Sequence, residues 1–158
     1  MSSTIEPDCS GEGRRIGIAV ARFTQEISQR LLDTTISTLL ESGVADSDIT
    51  VTWVPGAFEL PLACDTFART EDYDALIALG CVIRGETSHY DYVCENSARG
   101  IHDTGLRYQI PVIFGVLTTE NRAQAEARSG GENGDKGREC ALAALEMVGV
   151  IDAIHENS

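Results

Sequence analysis

No apolar stretch in this sequence approaches the roughly 20 residues needed to cross a bilayer. The opening residues, Met1 to Gly13, are polar and have no apolar core of the secretory kind, which predicts a flexible arm on a cytoplasmic protein. No Cys-x-x-Cys pair occurs. The five cysteines (Cys9, Cys64, Cys81, Cys94 and Cys140) are odd in number and widely scattered, which predicts reduced, structural thiols rather than a disulfide framework or a metal site. Bases are scarce: 12 Lys and Arg stand against 25 Asp and Glu, for a net charge of −13. So acidic a chain repels phosphate backbones and anionic membrane surfaces, so neither nucleic acid nor membrane is an expected partner. Gly-x-x-x-x-Gly-Lys-[Ser/Thr] and Gly-x-Gly-x-x-Gly are both missing, and with them the usual marks of triphosphate and dinucleotide binding. There is no internal repeat and no low-complexity segment.

What remains is a chain of 158 residues, 42% hydrophobic and 23% charged, long enough to bury a core without staples. It reads as one domain over residues 14–158. Four short apolar runs predict buried strands: Arg15–Ala21, Ile49–Val54, Ala75–Cys81 and Pro111–Leu117. Between them lie helical patterns. Ile27, Leu31, Leu32, Ile36, Leu39 and Leu40 recur at helical spacing from Thr24 to Ser42, with Gly43 as the stop. Further helices are predicted over Phe58–Arg69, Ser88–Arg107, a short segment capped by Thr119 and ending at Arg128, and Lys136 to about Asp152. Strands alternating with helices at this spacing predict an α/β fold: a doubly wound, four-stranded parallel sheet inside a three-layer α/β/α sandwich. Ligands of such sheets bind outside the carboxyl ends of the strands.

One stretch at such an end stands out. Gly80-Cys-Val-Ile-Arg-Gly-Glu-Thr-Ser-His89 leads from a buried strand through a Gly-flanked turn into a helix. Free N–H groups and the positive helix end suit an anion there. Thr87 and Ser88 equally suit plain N-capping. Glu86 is expected to point to solvent, because a carboxylate facing inward repels a phosphate. His89, beside this turn, carries a group that ordinarily titrates near neutrality and suits a proton shuttle; an isolated His serves as often in structure. His102 and His155 have no such neighbours. Phe23 and Phe58 follow strand ends, where a ring either stacks on a flat heterocycle or packs under a loop. Glu59 starts a helix, where a carboxylate is favoured in any case. Arg128 and Lys136 flank the Gly-rich loop Ser129–Asp135 and are among the few bases not closely paired with acids in sequence. They are either solvated or waiting for an anionic ligand.

Six ordered blocks carry a more specific signal: Ala21-Arg-Phe23, Trp53-Val-Pro-Gly-Ala-Phe-Glu-Leu-Pro61, Leu79 to Val93, Phe114-Gly-Val-Leu-Thr-Thr119, Gln124-Ala-Glu-Ala-Arg128 and Asp135-Lys-Gly137. From Arg14 to Val150 the chain resembles the 6,7-dimethyl-8-ribityllumazine synthase family of riboflavin biosynthesis. The resemblance implies a flavodoxin-like topology and a condensation of 5-amino-6-(D-ribitylamino)uracil with 3,4-dihydroxy-2-butanone 4-phosphate. The amine attacks the ketone to give an imine, phosphate is eliminated, and ring closure with loss of water yields the lumazine, without metal or cofactor.

The same resemblance assigns roles. Phe23 stacks on the pyrimidine, Ala57, Phe58 and Glu59 hold the ring and ribityl chain, and the backbone of Cys81, Val82 and Ile83 bonds the uracil edge. Glu86 and Thr87 cradle the phosphate, and His89 moves protons. Phe114, Arg128 and Lys136 match positions that enter the site from a neighbouring subunit. Ring pentamers are implied, with a 60-subunit shell expected from the short loop between Arg128 and Lys136, the N-terminal arm adding to a neighbour's sheet edge, and association with riboflavin synthase as a further partner. Thr24 departs from the Asn that the family often has there, and a hydroxyl replaces only part of an amide's hydrogen bonding. Two other activities fit the same fold: a non-catalytic store of flavin-like ligands, and an archaeal-type riboflavin synthase that consumes lumazine.

Overall fold

Alternation inside the first strand sets the two faces of the sheet. In Ile16-Gly-Ile-Ala-Val-Ala21, the large residues Ile16, Ile18 and Val20 fall on one side and Gly17, Ala19 and Ala21 on the other. The computed structural model describes residues 2–131 and 134–158. In it the large side is covered by α1 (Gln25–Glu41) and α5 (Lys136–Glu156), and the small side by α2 (Leu60–Arg69) and α3 (His89–Tyr108). Four parallel strands lie between these layers in the order β2-β1-β3-β4: β1 (Ile16–Ala21), β2 (Ile49–Val54), β3 (Ala75–Ile83) and β4 (Val112–Thr119). In register, Ile16 faces Ile49 on one side and Ala75 on the other, and Leu76 faces Val112. This is the expected three-layer, doubly wound, flavodoxin-like arrangement.

The central strands are sealed, and the edges are not. Every residue of β1 is buried, whereas β2 has none that is. The core on the large side gathers Ile27, Leu31, Leu39, Leu145 and Val148 onto Ile18, Val20, Ile77 and Leu79. The other core packs Leu60, Cys64, Ala68 and Ile101 onto Ala19, Ala21 and Ala78. Small strand residues there let α2 and α3 approach closely. Asp65 joins those two helices as well, accepting from Arg107 at 2.6 Å, Arg69 at 3.0 Å and the Tyr108 hydroxyl at 3.1 Å.

Several boundaries move from their expected places. Thr119 does not cap the short helix α4 (Arg122–Arg128): it is the last residue of β4, and its hydroxyl donates to the Asn121 carbonyl at 2.9 Å. The cap is Asn121, whose side-chain oxygen accepts from the Gln124 N–H at 2.9 Å. Consecutive β-branched threonines extend the strand, and the asparagine ends it. Phe58 lies in a single 3-10 turn, Ala57–Glu59, ahead of α2. Residues of the Gly-rich loop form a small antiparallel pair, β5 (Ser129–Gly131) with β6 (Gly134–Asp135); Glu132 and Asn133 lie outside the described residues. The described N-terminal residues, 2–13, form no helix or strand, yet they touch the rest of their own chain. The Gly11 N–H donates to the Ser42 carbonyl at 2.9 Å, and the Asp8 backbone lies so close to Gly149 that a side chain there would collide with it. No helix among the described residues is long and apolar enough to cross a membrane.

Candidate active site

Two hollows lie along the carboxyl half of the sheet, and they share no lining residue. The larger, a cavity of about 850 Å³, opens where β1, β2 and β3 end. The ends of β1 and β2 are stitched together there, Arg22 N–H to the Val54 carbonyl at 2.7 Å and Phe23 N–H to the Pro55 carbonyl at 3.0 Å. This holds the chain around Phe23 and the Ala57–Glu59 turn at one mouth. Phe23 is 76% exposed and Phe58 56%, so neither ring packs under a loop. Two open aromatic rings in one cleft form a stacking surface for a flat heterocycle.

The floor of this cleft is the end of β3. Cys81, Val82 and Ile83 line it. Burial pushes the Cys81 thiol up to about 11, partly opposed by the nearby Arg122 guanidinium. The thiol is therefore neutral near pH 7 and is no nucleophile; what Cys81 offers a ligand is its backbone. Ala57, likewise buried, offers the same. The Glu59 carboxylate folds back beside Gly56 on the cleft wall, and both residues line it.

The opposite wall is the turn into α3. Gly85, Thr87 and His89 line the cleft, while Glu86 is exposed and lines neither hollow. Ser88 precedes α3 without a side-chain cap, and the Thr87 hydroxyl, on the cleft, accepts from the His89 N–H at 3.3 Å in a local turn. Tyr90, Tyr92 and Val93, which sequence reasoning did not single out, complete this wall. The signal was present: Tyr92 and Val93 follow His89 by three and four positions, the spacing that places residues on one helix face.

The second hollow, of about 450 Å³, runs along the edge strand β4 and contains Phe114, Thr118 and Thr119 with Arg128, Lys136 and Glu139. Lys136, the only lysine of the chain, is held by a tight junction at the start of α5. Asp135 caps α5, accepting from the Gly137 N–H at 3.1 Å and from the Thr34 hydroxyl at 2.9 Å, and Thr35 donates to the Gly137 carbonyl at 3.0 Å. Any side chain on Gly137 would collide with Thr34 and the Leu31 carbonyl, so the glycine sets how closely α5 meets α1. Among the described residues, Arg22, Arg30, Arg128 and Lys136 are the bases that ion-pair with no carboxylate. Two of these four free cations thus meet in one hollow.

The expected site residues therefore divide. Phe23, Ala57, Phe58, Glu59, Cys81, Val82, Ile83, Thr87 and His89 come together in the first cleft, and Phe114, Arg128 and Lys136 in the second. A doubly wound α/β domain with an open cleft beyond its strand ends, carrying exposed aromatic rings and an imidazole, is of the class that binds small molecules there. A family model described as 6,7-dimethyl-8-ribityllumazine synthase matches residues 13–152. A 6,7-dimethyl-8-ribityllumazine synthase of Desulfatibacillum aliphaticivorans is 49% identical over 152 residues, which are 96% of this chain and 98% of that protein. The chain belongs to this family, and with it to the transferases of riboflavin biosynthesis that form 6,7-dimethyl-8-ribityllumazine.

Proposed function

We propose that the chain carries out its family's condensation in a site built from two copies, the aromatic cleft of one and the cationic hollow of the next. The observation that carries this reading is the division of the site residues between hollows that share no residue. The aromatic cleft has stacking rings, strand backbone and an imidazole, and none of the free cations among its lining residues. The cationic hollow has two cations without ion-pair partners among the described residues, and no imidazole. Joining a pyrimidine to a phosphorylated ketone needs both.

In this reading Phe23 and Phe58 sandwich the pyrimidine edge-on to the backbone of Cys81 to Ile83, and Ala57 and Glu59 hold the ribityl chain. The butanone phosphate sits over Gly85 to Thr87, with Glu86 contributing only its backbone. Arg128 and Lys136 of the neighbour close over the phosphate; the guanidinium fork fits its oxygens and lowers the cost of its departure. His89 takes a proton as the amine adds to the ketone and returns it to the oxygen that leaves as water. Holding both substrates together supplies much of the rate, since effective molarities can reach about 10⁵ M or more.

The assembly that brings such edges together is a homopentamer, and pentamers packing into a 60-subunit shell are the further reading, with riboflavin synthase as a partner that would consume the product. The half-exposed strand β2 is the sheet edge available to a neighbour's N-terminal arm. A cytoplasmic location fits the five unpaired cysteines. The test is direct: purified protein given both substrates produces the lumazine chromophore and one phosphate per turnover. Protein that binds lumazine and makes none from the two substrates would refute this assignment.

A further inference from the structure

The turn that faces the substrates is poorly held by packing. Residues Arg84 to His89 are all exposed, and a side chain placed on Gly85 would touch nothing. One side chain spans its base. Arg84, immediately before the turn, stacks its guanidinium on the Tyr90 ring at 4.3 Å and reaches Asp91 at 3.5 Å, the two residues that follow His89. The same guanidinium donates through Nε to the Glu120 carboxylate at 2.8 Å, and the Arg84 N–H donates to the Thr119 carbonyl at 2.9 Å. Arg84 does not line the cleft, whereas Tyr90 does. We infer that Arg84 is a positioning residue for the condensation: its guanidinium clasps the segment Gly85–His89 from residue 84 to residues 90 and 91, and anchors that clasp on the corner between β4 and α4. This rests on the reading that Thr87 and His89 serve the substrates.

The geometry separates positioning from direct attraction of the phosphate. The guanidinium charge is already met by Glu120 and Asp91. A planar fork that stacks and donates at once cannot be replaced by an ammonium. A loosened turn misplaces Thr87 and His89 together, and displacements of about 1 Å in a reacting site cost on the order of 10²-fold. The pyrimidine half of the cleft, built on Phe23, Phe58 and β3, is outside the clasp.

The experiment is steady-state kinetics of the assembled enzyme with each substrate varied in turn, for Arg84→Lys, Arg84→Ala and Glu120→Gln beside Thr87→Ala and His89→Ala. Positioning predicts that Arg84→Lys falls nearly as far as Arg84→Ala, roughly 10- to 100-fold in kcat/KM for the butanone phosphate, with KM for the ribitylaminouracil nearly unchanged. Glu120→Gln shifts the same parameter in the same direction by less, and adds nothing to Arg84→Ala. Direct electrostatic attraction predicts the reverse sign for Glu120→Gln, since removing a carboxylate strengthens the field on the phosphate. That outcome, or full activity in Arg84→Lys, overturns the inference. Should the Arg84 variants fail to assemble, the sign of the Glu120→Gln effect still decides. Impaired Thr87 and His89 variants beside unimpaired Arg84 variants overturn the clasp alone; unimpaired Thr87 and His89 variants overturn the site on which it rests.

Discussion

The two hollows of this chain differ in what holds them. The aromatic cleft is built from strand ends and backbone, its floor buried at Cys81 and half-buried at Val82 and Ile83, its rings free. The cationic hollow sits on an edge strand and depends on the placing of two side chains, Arg128 at the end of a helix of seven residues and Lys136 at the start of a long one. Rigid backbone suits a flat ring that must be bound in one orientation. In the proposed site, cationic side chains at an edge suit a phosphate that is bound and then released. A net charge of −13 makes the second task harder, and placing two cations without ion-pair partners among the described residues in one hollow answers it locally.

The largest expected effect separates proton transfer from positioning within the aromatic cleft. His89→Ala should lower kcat by about 10²- to 10⁴-fold while leaving turnover measurable, because a general acid–base contributes about that much and binding both substrates contributes the rest. A fully assembled variant with no turnover at all would contradict this division. On the cationic side, Arg128→Ala should cost about 10²-fold in kcat/KM for the phosphate substrate, with Arg128→Lys intermediate. An equal loss in affinity for the pyrimidine substrate would erase the distinction between the hollows.

Alkaline pH tests the buried floor. Burial raises the thiol of Cys81 to about 11, that of Cys140 to about 11 and that of Cys64 to about 12, from an ordinary 9.0. A raised thiol keeps its proton in the folded chain after the unfolded chain has lost it. The stability it contributes is therefore complete below pH 9 and falls as pH rises towards 11. Melting temperatures should drop across that window, and Cys81→Ala should flatten the slope; a slope unchanged by that substitution would place the sensitive groups elsewhere.

The smallest effect concerns Thr24, the residue after Phe23. Its backbone is left-handed, with φ of 62°, a conformation that a β-branched residue adopts at a cost of roughly 1–2 kcal/mol and that asparagine tolerates. Thr24→Asn should therefore stabilise the protein by about 1 kcal/mol, read as a rise in melting temperature. No rise would mean that the threonine is accommodated without strain.

Strand and helix positions were legible because the signals are local: β-branched and apolar runs for the strands, apolar recurrence for α1, and a Gly-flanked turn before His89. The misplacement of the α4 cap was also local, a choice between two threonines and an asparagine that side-chain geometry resolves. Less legible was everything set by distance in sequence. Whether Phe23 and Phe58 are covered or open depends on how β1 and β2 end beside each other. Tyr90 lines the cleft with the Arg84 guanidinium stacked on its ring, and that guanidinium also holds Glu120, 36 residues away in sequence. That Arg128 and Lys136 fall in a hollow apart from His89 follows from the strand order, which puts β4 at an edge. Composition and spacing do not carry that order; the resemblance to a known family supplied the expectation that these cations act on a neighbour.

Mixed assembly tests that division most directly. One variant loses the aromatic cleft (Phe23→Ala with His89→Ala) and the other loses the cationic hollow (Arg128→Ala with Lys136→Ala), and each alone should be nearly inactive. Unfolded together and reassembled in equal amounts, they should recover activity approaching about one site in four, because an intact cleft then meets an intact hollow wherever the two kinds adjoin in the right order. If each site lay within a single chain, every site would still carry a defect. Mixed assemblies no more active than either variant alone would contradict the account.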